Sequence, residues 1–334
     1  MTRRELLRAL GTSALLAGPA ASLPAGAAQY ALRAGAAGPH QVGLVACADY
    51  GRETLLEAIR AGWRSSRPPD VRGKRVVIKP NIADFSPARP IHTDTRLVEA
   101  LVLHLKALGA GGIVLAEGPP HDRDTESLFR RTGFEALAER QGLRLVDLNT
   151  DDVRPVKNAN LRAPRLREFH VPATVLAADV LISVPKMKTH RLAGVTLGLK
   201  NMFGILPGIV YGWPKNVLHW NGIPQSICDI NGTVRTDFVI IDGVVGMEGY
   251  GPLLGPARKA GVLVMSDNAL AADATAARIM GVEPARVEYL ALAQQAKLGS
   301  LRPQDISVTG EKIADVRTDF ALEPEFAYLR AAKN

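Results

Sequence analysis

Short apolar runs rich in β-branched residues alternate with amphipathic helical segments over most of the chain. The runs predict strands at Val42–Cys47, Arg75–Lys79, Gly112–Ala116, Leu143–Leu148, Val180–Val184, Phe238–Ile241, Val262–Met265 and Ile306–Val308. The helical segments predict helices at Glu53–Trp63, Thr95–Leu108, Thr125–Gln141, Pro224–Gly232, Ala269–Met280 and Arg286–Ala296. Strand–helix alternation of this kind indicates an α/β fold, in which a largely parallel or mixed sheet is layered with helices.

The composition changes near residues 150–170, where acidic residues, asparagines and prolines accumulate. Such a cluster is typical of a long loop or of a domain boundary. We therefore expect an α/β region over residues 40–300 with a long loop or a sub-boundary near 150–170, so that one domain and two domains both remain open. A C-terminal strand and tail are expected over residues 301–334.

Residues 1–28 are typical of an export signal. Arg3 and Arg4 precede a stretch of small and apolar residues that runs to about Ala28. A basic start, an apolar middle and a small-residue cleavage site indicate secretion, and the paired arginines resemble a twin-arginine signal. The sequence therefore predicts twin-arginine export machinery as a partner and a periplasmic or secreted mature protein. No later apolar run is long enough to cross a bilayer, so no stable membrane span is expected after signal removal.

The chain is basic, with a formal net charge of +8. Its basic residues are scattered and aromatic residues make up only 5% of the chain, so nucleic acid is not expected as a partner. Two interpretations of the charge remain open, a solvated basic surface and recruitment of a small anionic substrate. Two cysteines, Cys47 and Cys228, are too few for a four-cysteine zinc site or iron–sulfur cluster, and whether they form a disulfide is open.

Polar and charged groups follow several predicted strands at the point where each strand ends. Lys79 and Asn81 come at the end of one strand, and His121 comes shortly after another. Because ligands of open α/β sheets bind outside the carboxyl ends of the strands, we expect a shared polar cleft there. Lys79 and Asn81 are suited to a carboxylate or a phosphate. Ordinary polar surface turns are the alternative interpretation.

Residues 179–222 hold the most unusual pattern in the chain. A buried apolar strand ends at a basic cluster that includes His190, and Lys200 lies within an apolar, glycine-rich run that precedes His219. An amine in apolar surroundings loses its proton more easily and becomes a nucleophile or a Schiff-base former. Histidines exchange protons or ligate metals. The alternative is a lysine of which only the stem is buried, with structural, hydrogen-bonded histidines.

The chain resembles a bacterial and archaeal family known as domain of unknown function 362. The resemblance rests on the run ISVPKMKTHRLAGVTLGLKNMFGILPG at residues 182–208 and on shorter motifs. These motifs are KPNI at 79–82, HTD at 92–94, DGVVGMEGYGP at 242–252 and DNALAADATAARIMGVEP at 267–284. Many members of that family carry ferredoxin-type cysteine runs that this chain lacks, so no iron–sulfur cluster is expected.

A more distant resemblance relates the segment from His190 to Lys200 to the nickel-pincer lactate racemases, whose motif has the same His-to-Lys spacing. The resemblance implies that Lys200 tethers a pincer nucleotide and that His219 ligates nickel. It also implies that His121 and His190 exchange protons with the substrate. The residues between His190 and Lys200 differ from the racemase motif, so the substrate and the cofactor stay open.

Further residues are expected to assist these roles. Besides Lys200, the expected cofactor-binding residues are Lys188 and Asn201. The expected substrate-binding residues are Lys79, Asn81, Arg89, His92 and Lys186. Asp242, Glu248 and Asp267 are expected to hold Mg²⁺ or to orient the histidines.

The sequence thus predicts an exported enzyme that acts on a small anionic substrate, an organic acid. It is expected to hold a metal or a metal–nucleotide cofactor and to use His121 and His190 for acid/base chemistry. Two alternatives remain open. One is a periplasmic protein that binds a metal, a cofactor or an anion without turnover, and the other is an accessory protein of an oxidoreductase.

Overall fold

The computed structural model describes residues 39–120, 124–160, 162 and 166–332. Its strands are β1 (His40–Ala46), β2 (Arg75–Pro80), β3 (Gly112–Glu117), β4 (Arg144–Asp147), β5 (Val153–Lys157), β6 (Glu168–Pro172), β7 (Val180–Val184), β8 (Lys186–His190), β9 (Gly194–Thr196), β10 (Phe238–Met247), β11 (Ala257–Ser266) and β12 (Ile306–Gly310). Its helices are α1 (Arg52–Arg64), α2 (Thr95–Ala107), α3 (Thr125–Thr132), α4 (Phe134–Gln141), α5 (Ala173–Leu176), α6 (Gly198–Asn201), α7 (Gly208–Tyr211), α8 (Asn216–Trp220), α9 (Ile223–Thr233), α10 (Ala269–Ile279), α11 (Glu288–Gln295) and α12 (Ile313–Val316). Short 3₁₀ helices lie at Met202–Ile205, Pro284–Arg286, Pro303–Asp305 and Pro324–Leu329.

A ten-stranded sheet forms the centre of the molecule, in the order β12-β1-β11-β10-β7-β2-β3-β4, with β8 paired to β10 and β9. The run β10-β7-β2-β3-β4 is parallel throughout, whereas β11 is antiparallel to both of its neighbours, β1 and β10. The predicted α/β fold with a largely parallel or mixed sheet is therefore confirmed.

Apolar side chains cover both faces of this sheet. On β2, Val76 and Ile78 belong to one buried cluster, which includes Leu101 of α2, and Val77 belongs to another, which includes Ile227 of α9. Successive side chains of a strand point to opposite faces, so these two clusters are the two layers of core that helices close from either side.

The segment predicted as a single helix at Thr125–Gln141 is two helices. Gly133 separates α3 from α4 with φ +81°, a left-handed conformation that ends the first helix. Glycine adopts this conformation without the steric cost that a Cβ would bring, which makes it a frequent helix terminator.

The strand predicted to stop at Ile241 continues to Met247, with an irregularity in register between Gly243 and Val245. Asp242-Gly243 is a typical turn pair, and the predicted strand ends just before it. Asp242 is instead fully buried inside the strand, because Lys186 neutralises its carboxylate and the Tyr50 hydroxyl donates a hydrogen bond to it. The stretch around residues 150–170 contains an antiparallel hairpin of β5 and β6.

Three other predictions concern the export signal, His121 and the two cysteines. The predicted export signal at residues 1–28 and the expected catalytic residue His121 lie outside the described residues. Cys47 and Cys228 are both buried, and neither forms a disulfide. Within the described part of the chain, no helix is long and apolar enough to cross a membrane.

Candidate functional site

A cavity of about 490 Å³ opens at the carboxyl ends of β2, β3 and β8, and we call it the basic cavity. Its charged lining comprises the amines of Lys79, Lys188, Lys200 and Lys215 and the imidazoles of His190 and His219, with the Arg191 guanidinium beside them. Among the described lining residues, Glu117 is the one carboxylate. The cavity therefore has a large excess of basic groups over acidic ones.

Lys79 and Glu117 form a buried ion pair at the cavity floor. They end the neighbouring parallel strands β2 and β3, and the Lys79 Nζ lies 2.8 Å from both carboxylate oxygens. Glu117 also accepts the backbone N–H groups of Ile82 and Gly118, each at 2.9 Å. Burial lowers the pKa of the Lys79 amine, and the neighbouring Glu117 carboxylate opposes that effect. Glu117 thus forms its direct ion pair with Lys79.

Asn201 connects the helix that carries Lys200 to the sheet. Its Oδ1 accepts from the Lys79 amine at 3.2 Å, and its Nδ2 donates to the Lys79 carbonyl at 3.2 Å and to the Ser183 Oγ at 2.9 Å. These bonds fix the end of α6 against β2 and β7. Lys200, one residue earlier, is therefore presented from a rigid support.

Three lysines line the cavity without a carboxylate partner among the described residues. Lys188 is fully buried and donates to the Ile91 carbonyl at 2.7 Å. Lys215 is fully buried and donates to the carbonyls of Gly118 and Gly204, at 2.8 and 3.1 Å. The Lys200 Nζ lies 4.6 Å from the centre of the Phe203 ring, a cation–π distance.

The surroundings of these lysines disfavour their positive charges. Burial, together with the charges of neighbouring lysines, lowers the pKa of Lys188 to about 7 and that of Lys200 to about 8. Burial lowers the pKa of Lys215 to about 7, although Glu117 acts in the opposite direction. A negative charge placed among these amines would reverse the effect, since an opposite charge nearby favours the protonated form.

The neutral rings of His190 and His219 carry their proton on different nitrogens. The Nδ1 of His190 accepts the backbone N–H of Leu192 at 3.0 Å, so the proton of the neutral ring is on Nε2. Burial and the charges of Lys200 and Lys188 keep the pKa of His190 well below its usual range. The Nδ1 of His219 lies 3.0 Å from the Lys215 carbonyl, which can only accept, so this nitrogen carries the proton and Nε2 is the acceptor of the neutral ring.

Two buried polar atoms of the lining have no hydrogen-bond partner among the described residues. They are the hydroxyl of Thr196, which is 4% exposed, and the Oδ1 of Asn81. Buried polar groups are satisfied in the great majority of cases, so an orphaned pair in one cavity indicates a position for a polar ligand.

Lys186 and Asp242 belong to a different cluster. The Lys186 Nζ donates to the Asp242 carboxylate at 2.6 Å and to the Tyr50 hydroxyl at 2.9 Å, and that hydroxyl donates to the same carboxylate at 2.7 Å. Neither residue lines the basic cavity. The charges of this cluster are balanced internally, as a buried ion pair requires.

The remaining predicted residues also lie away from the cavity lining. Arg89 is exposed, and the His92 ring stacks on Phe85 with its Nδ1 2.9 Å from the Thr93 carbonyl. Glu248 accepts the backbone N–H of Ala321 at 2.8 Å. Asp267 follows β11, whose antiparallel direction places it beside the start of β10, at the opposite edge of the sheet.

The structure therefore brings Lys79, Asn81, Lys188, His190, Lys200, Asn201 and His219 together. Sequence analysis assigned no role to Lys215, Glu117 or Thr196. Lys215 has a detectable signal, since it is a lone cation in the long apolar stretch after Lys200. Its backbone is left-handed, with φ +67°, at the start of α8.

The described residues do not supply a metal site made of protein ligands alone. No group of three or more histidine, cysteine, aspartate or glutamate side chains in this part of the chain could hold a metal ion. Lys200 and His219 do line the same cavity, as the predicted metal–nucleotide cofactor requires.

The sequence of this chain matches a known protein family. The family described as "Domain of unknown function (DUF362)" matches residues 76–278, more than half of the chain. A thylakoid-associated protein of Synechocystis sp. is 27% identical over 259 residues, which cover 77% of this chain and 76% of that protein.

Two solved structures match part of this chain at low sequence identity. The lactate racemase apoprotein from Thermoanaerobacterium thermosaccharolyticum has a TM-score of 0.47 and 14% identity, over 71% of this chain and 56% of that one. A protein from Thermotoga maritima has a TM-score of 0.37 and 15% identity, over 59% of this chain and 51% of that one. The matched region thus spans little more than half the length of either solved protein.

Proposed function

The chain belongs to the DUF362 family, and we propose that it is an enzyme that acts on a small organic anion bound in the basic cavity. The observation that carries this proposal is the set of Lys188, Lys200 and Lys215, which line one cavity without a carboxylate partner among the described residues. A carboxylate or phosphate of the ligand would supply the missing negative charge, through charge-assisted hydrogen bonds.

The orphaned atoms at the cavity support a ligand with further polar groups. The Thr196 hydroxyl can donate or accept, and the Asn81 Oδ1 can only accept. A hydroxyl group beside the carboxylate of the ligand would serve both. A 2-hydroxy acid therefore suits the polarity of the lining.

The two histidines support proton transfer rather than binding alone. In the neutral rings, the Nε2–H of His190 can donate a hydrogen bond to a substrate oxygen, and Nε2 of His219 has a lone pair that can accept a proton. Proton transfer needs such an acceptor, and a hydrogen-bond donor stabilises the negative charge that develops on the oxygen. We assign His190 the role of hydrogen-bond donor to the substrate and His219 that of proton acceptor.

The cofactor expected from the sequence remains part of this proposal. Lys200 and His219 are the residues that would hold a metal–nucleotide group in the basic cavity. The Nε2 lone pair of His219 would then bind the metal, so the role of His219 as proton acceptor applies to the chain without that group. Such a group would supply hydride transfer to and from the substrate carbon. The intact mass of the protein isolated from its host tests for a covalent group on Lys200.

Anion binding is tested first, by calorimetry with lactate, pyruvate, malate and phosphate. We expect Lys188→Met and Lys215→Met to weaken binding by about 10- to 100-fold, since a hydrogen bond to a charged group contributes about 1.5–3 kcal/mol. Lys259→Met, at an exposed lysine of β11, is the matched control and should bind as the wild type does. Equal binding by all four proteins would contradict the proposal.

Turnover is tested separately, by following the loss of optical rotation of L-lactate or L-malate, which occurs whether the carbon-bound hydrogen leaves as a proton or as a hydride. His190→Gln and His219→Gln should retain anion binding and lose at least about 100-fold in racemisation rate, the size expected of one such group. Binding without any racemisation in the wild type would instead favour a carrier protein without turnover.

A further inference from the structure

Exposed apolar side chains are concentrated at the mouth of the basic cavity. Leu192, Tyr250 and Leu254 are 55%, 42% and 56% exposed, and all three line the cavity. Single exposed apolar residues are ordinary on protein surfaces, but a contiguous set at the entrance of a binding cavity is a mark of recognition.

The two loops that carry these residues are fixed to one another. The Thr189 hydroxyl donates to the Gly249 carbonyl at 2.8 Å, and the Arg191 backbone N–H donates to the Gly251 carbonyl at 3.0 Å. A Cβ at Gly251 would overlap the Thr189 carbonyl oxygen, so the loops are in direct backbone contact. The apolar mouth is therefore built into the fold.

Polarity changes with depth in this cavity. Lys188 and Lys215 are fully buried, whereas Leu192 and Leu254 are more than half exposed at the entrance. A small hydrophilic acid such as lactate would fill the inner part and leave the apolar mouth in water. A longer ligand would satisfy both parts of the lining.

We propose that the ligand of this site is an amphiphilic anion, with its acidic group among the buried lysines and an aliphatic chain or ring against Leu192, Tyr250 and Leu254. This inference rests on the proposed function and specifies its substrate class. The occupant is a single dissolved molecule, because the three apolar side chains line a concave cavity that is continuous with the lysines. A membrane surface is the competing occupant and is included in the test.

The test is a series of straight-chain carboxylates, from acetate through butyrate and hexanoate to octanoate, measured by calorimetry on the folded chain. Each methylene that packs against the mouth should improve affinity by about fourfold, from the transfer of one CH₂ out of water. The double variant Leu192→Ser, Leu254→Ser should bind acetate unchanged and lose most of this gain. Ile209→Ser is the matched control, since Ile209 is 60% exposed and does not line the cavity.

The outcomes separate the two proposals. If no carboxylate binds, both the anion site and this inference are overturned. If acetate binds but chain length has no effect, or if the double variant keeps the gain, the anion site stands and the amphiphilic ligand is overturned. Sedimentation with phosphatidylglycerol vesicles is the last part of the test and measures binding to a membrane surface. Vesicle binding that is lost in the double variant, without a chain-length effect, would assign the mouth to a membrane and also overturn the inference.

Discussion

At the scale of the residue, the positive charge of the basic cavity depends on which buried lysines form an ion pair with a carboxylate. Lys186 and Lys188 lie two residues apart on one strand, and only Lys186 is neutralised, by Asp242. The cluster around Lys186 includes Tyr50 and Asp242, which are 136 and 56 positions away in the chain. Sequence analysis placed both lysines in a basic cluster at the end of a buried strand and expected both to bind ligand, Lys186 the substrate and Lys188 the cofactor. It could not tell which of them would have a partner, because that depends on long-range packing.

The lowered pKa values of the lysines predict an unusual dependence of stability on pH. An unfolded lysine has its ordinary value of 10.5, whereas burial lowers the pKa of Lys188 and Lys215 to about 7. Between these values the unfolded chain binds more protons than the folded one, so the free energy of unfolding should rise from pH 7 to pH 9. Urea unfolding without organic anions or phosphate measures this rise. Lys188→Met and Lys215→Met should reduce it, and Lys259→Met should retain it.

Anion affinity should move in the opposite direction over the same range. Deprotonated amines no longer attract a carboxylate, so the Kd for the bound acid should increase from pH 6.5 to pH 9. Calorimetry at several pH values measures this trend. A Kd that is constant over the range would contradict the role given to the lysines.

At the scale of the element, the short helix α6 depends on a carboxylate from a distant helix. Asp273 of α10 accepts the backbone N–H groups of Gly198 and Leu199 at 2.6 and 2.9 Å, and it is fully buried. Burial raises the pKa of Asp273 to about 8. The first turn of the helix that presents Lys200 is thus held by Asp273.

Replacement of Asp273 by alanine should leave these two N–H groups without acceptors. We expect a loss of about 2–4 kcal/mol in the free energy of unfolding, since each buried unsatisfied group costs about 1–3 kcal/mol. Asp273→Asn, which keeps one acceptor oxygen, should lose less. Urea unfolding of the two variants measures the difference, and equal losses would mean that the hydrogen bonds to α6 are not the cause.

Strands that are set by the local hydrophobic pattern could be predicted from the sequence. Strands whose extent depends on pairing with distant strands could not. The strand Val180–Val184 was predicted with the bounds that the structure has. The extension of β10 beyond Asp242 and the strand β8 were missed, because both depend on neighbours that are distant in sequence. The antiparallel direction of β11 was equally invisible, which is why Asp267 was expected at the wrong edge of the sheet.

At the scale of the whole molecule, export remains a proposal that rests on the sequence of residues 1–28. Replacement of both Arg3 and Arg4 by lysine should keep the protein in the cytoplasm with an uncleaved mass, since the receptor of this pathway reads the paired arginines. Cell fractionation with intact-mass spectrometry measures location and cleavage together. A variant that is exported and cleaved as the wild type is would contradict the twin-arginine route.

The same mass spectrum tests the proposed cofactor. A covalent nucleotide on Lys200 would add its mass to the cleaved chain, and Lys200→Arg would remove that addition. A wild-type mass equal to that of the bare cleaved chain would contradict a tethered group, and it would leave the anion site unaffected.

The walls of the basic cavity come from both sides of the β5–β6 hairpin. Lys79 and Glu117 precede it, whereas Lys188, Lys200 and Lys215 follow it. Neither half of the polypeptide supplies the whole lining by itself, and strands from both halves are interleaved in one sheet. A fragment made by cutting at the hairpin would therefore carry only some of the basic groups, and it would leave unpaired strand edges where the other half is missing.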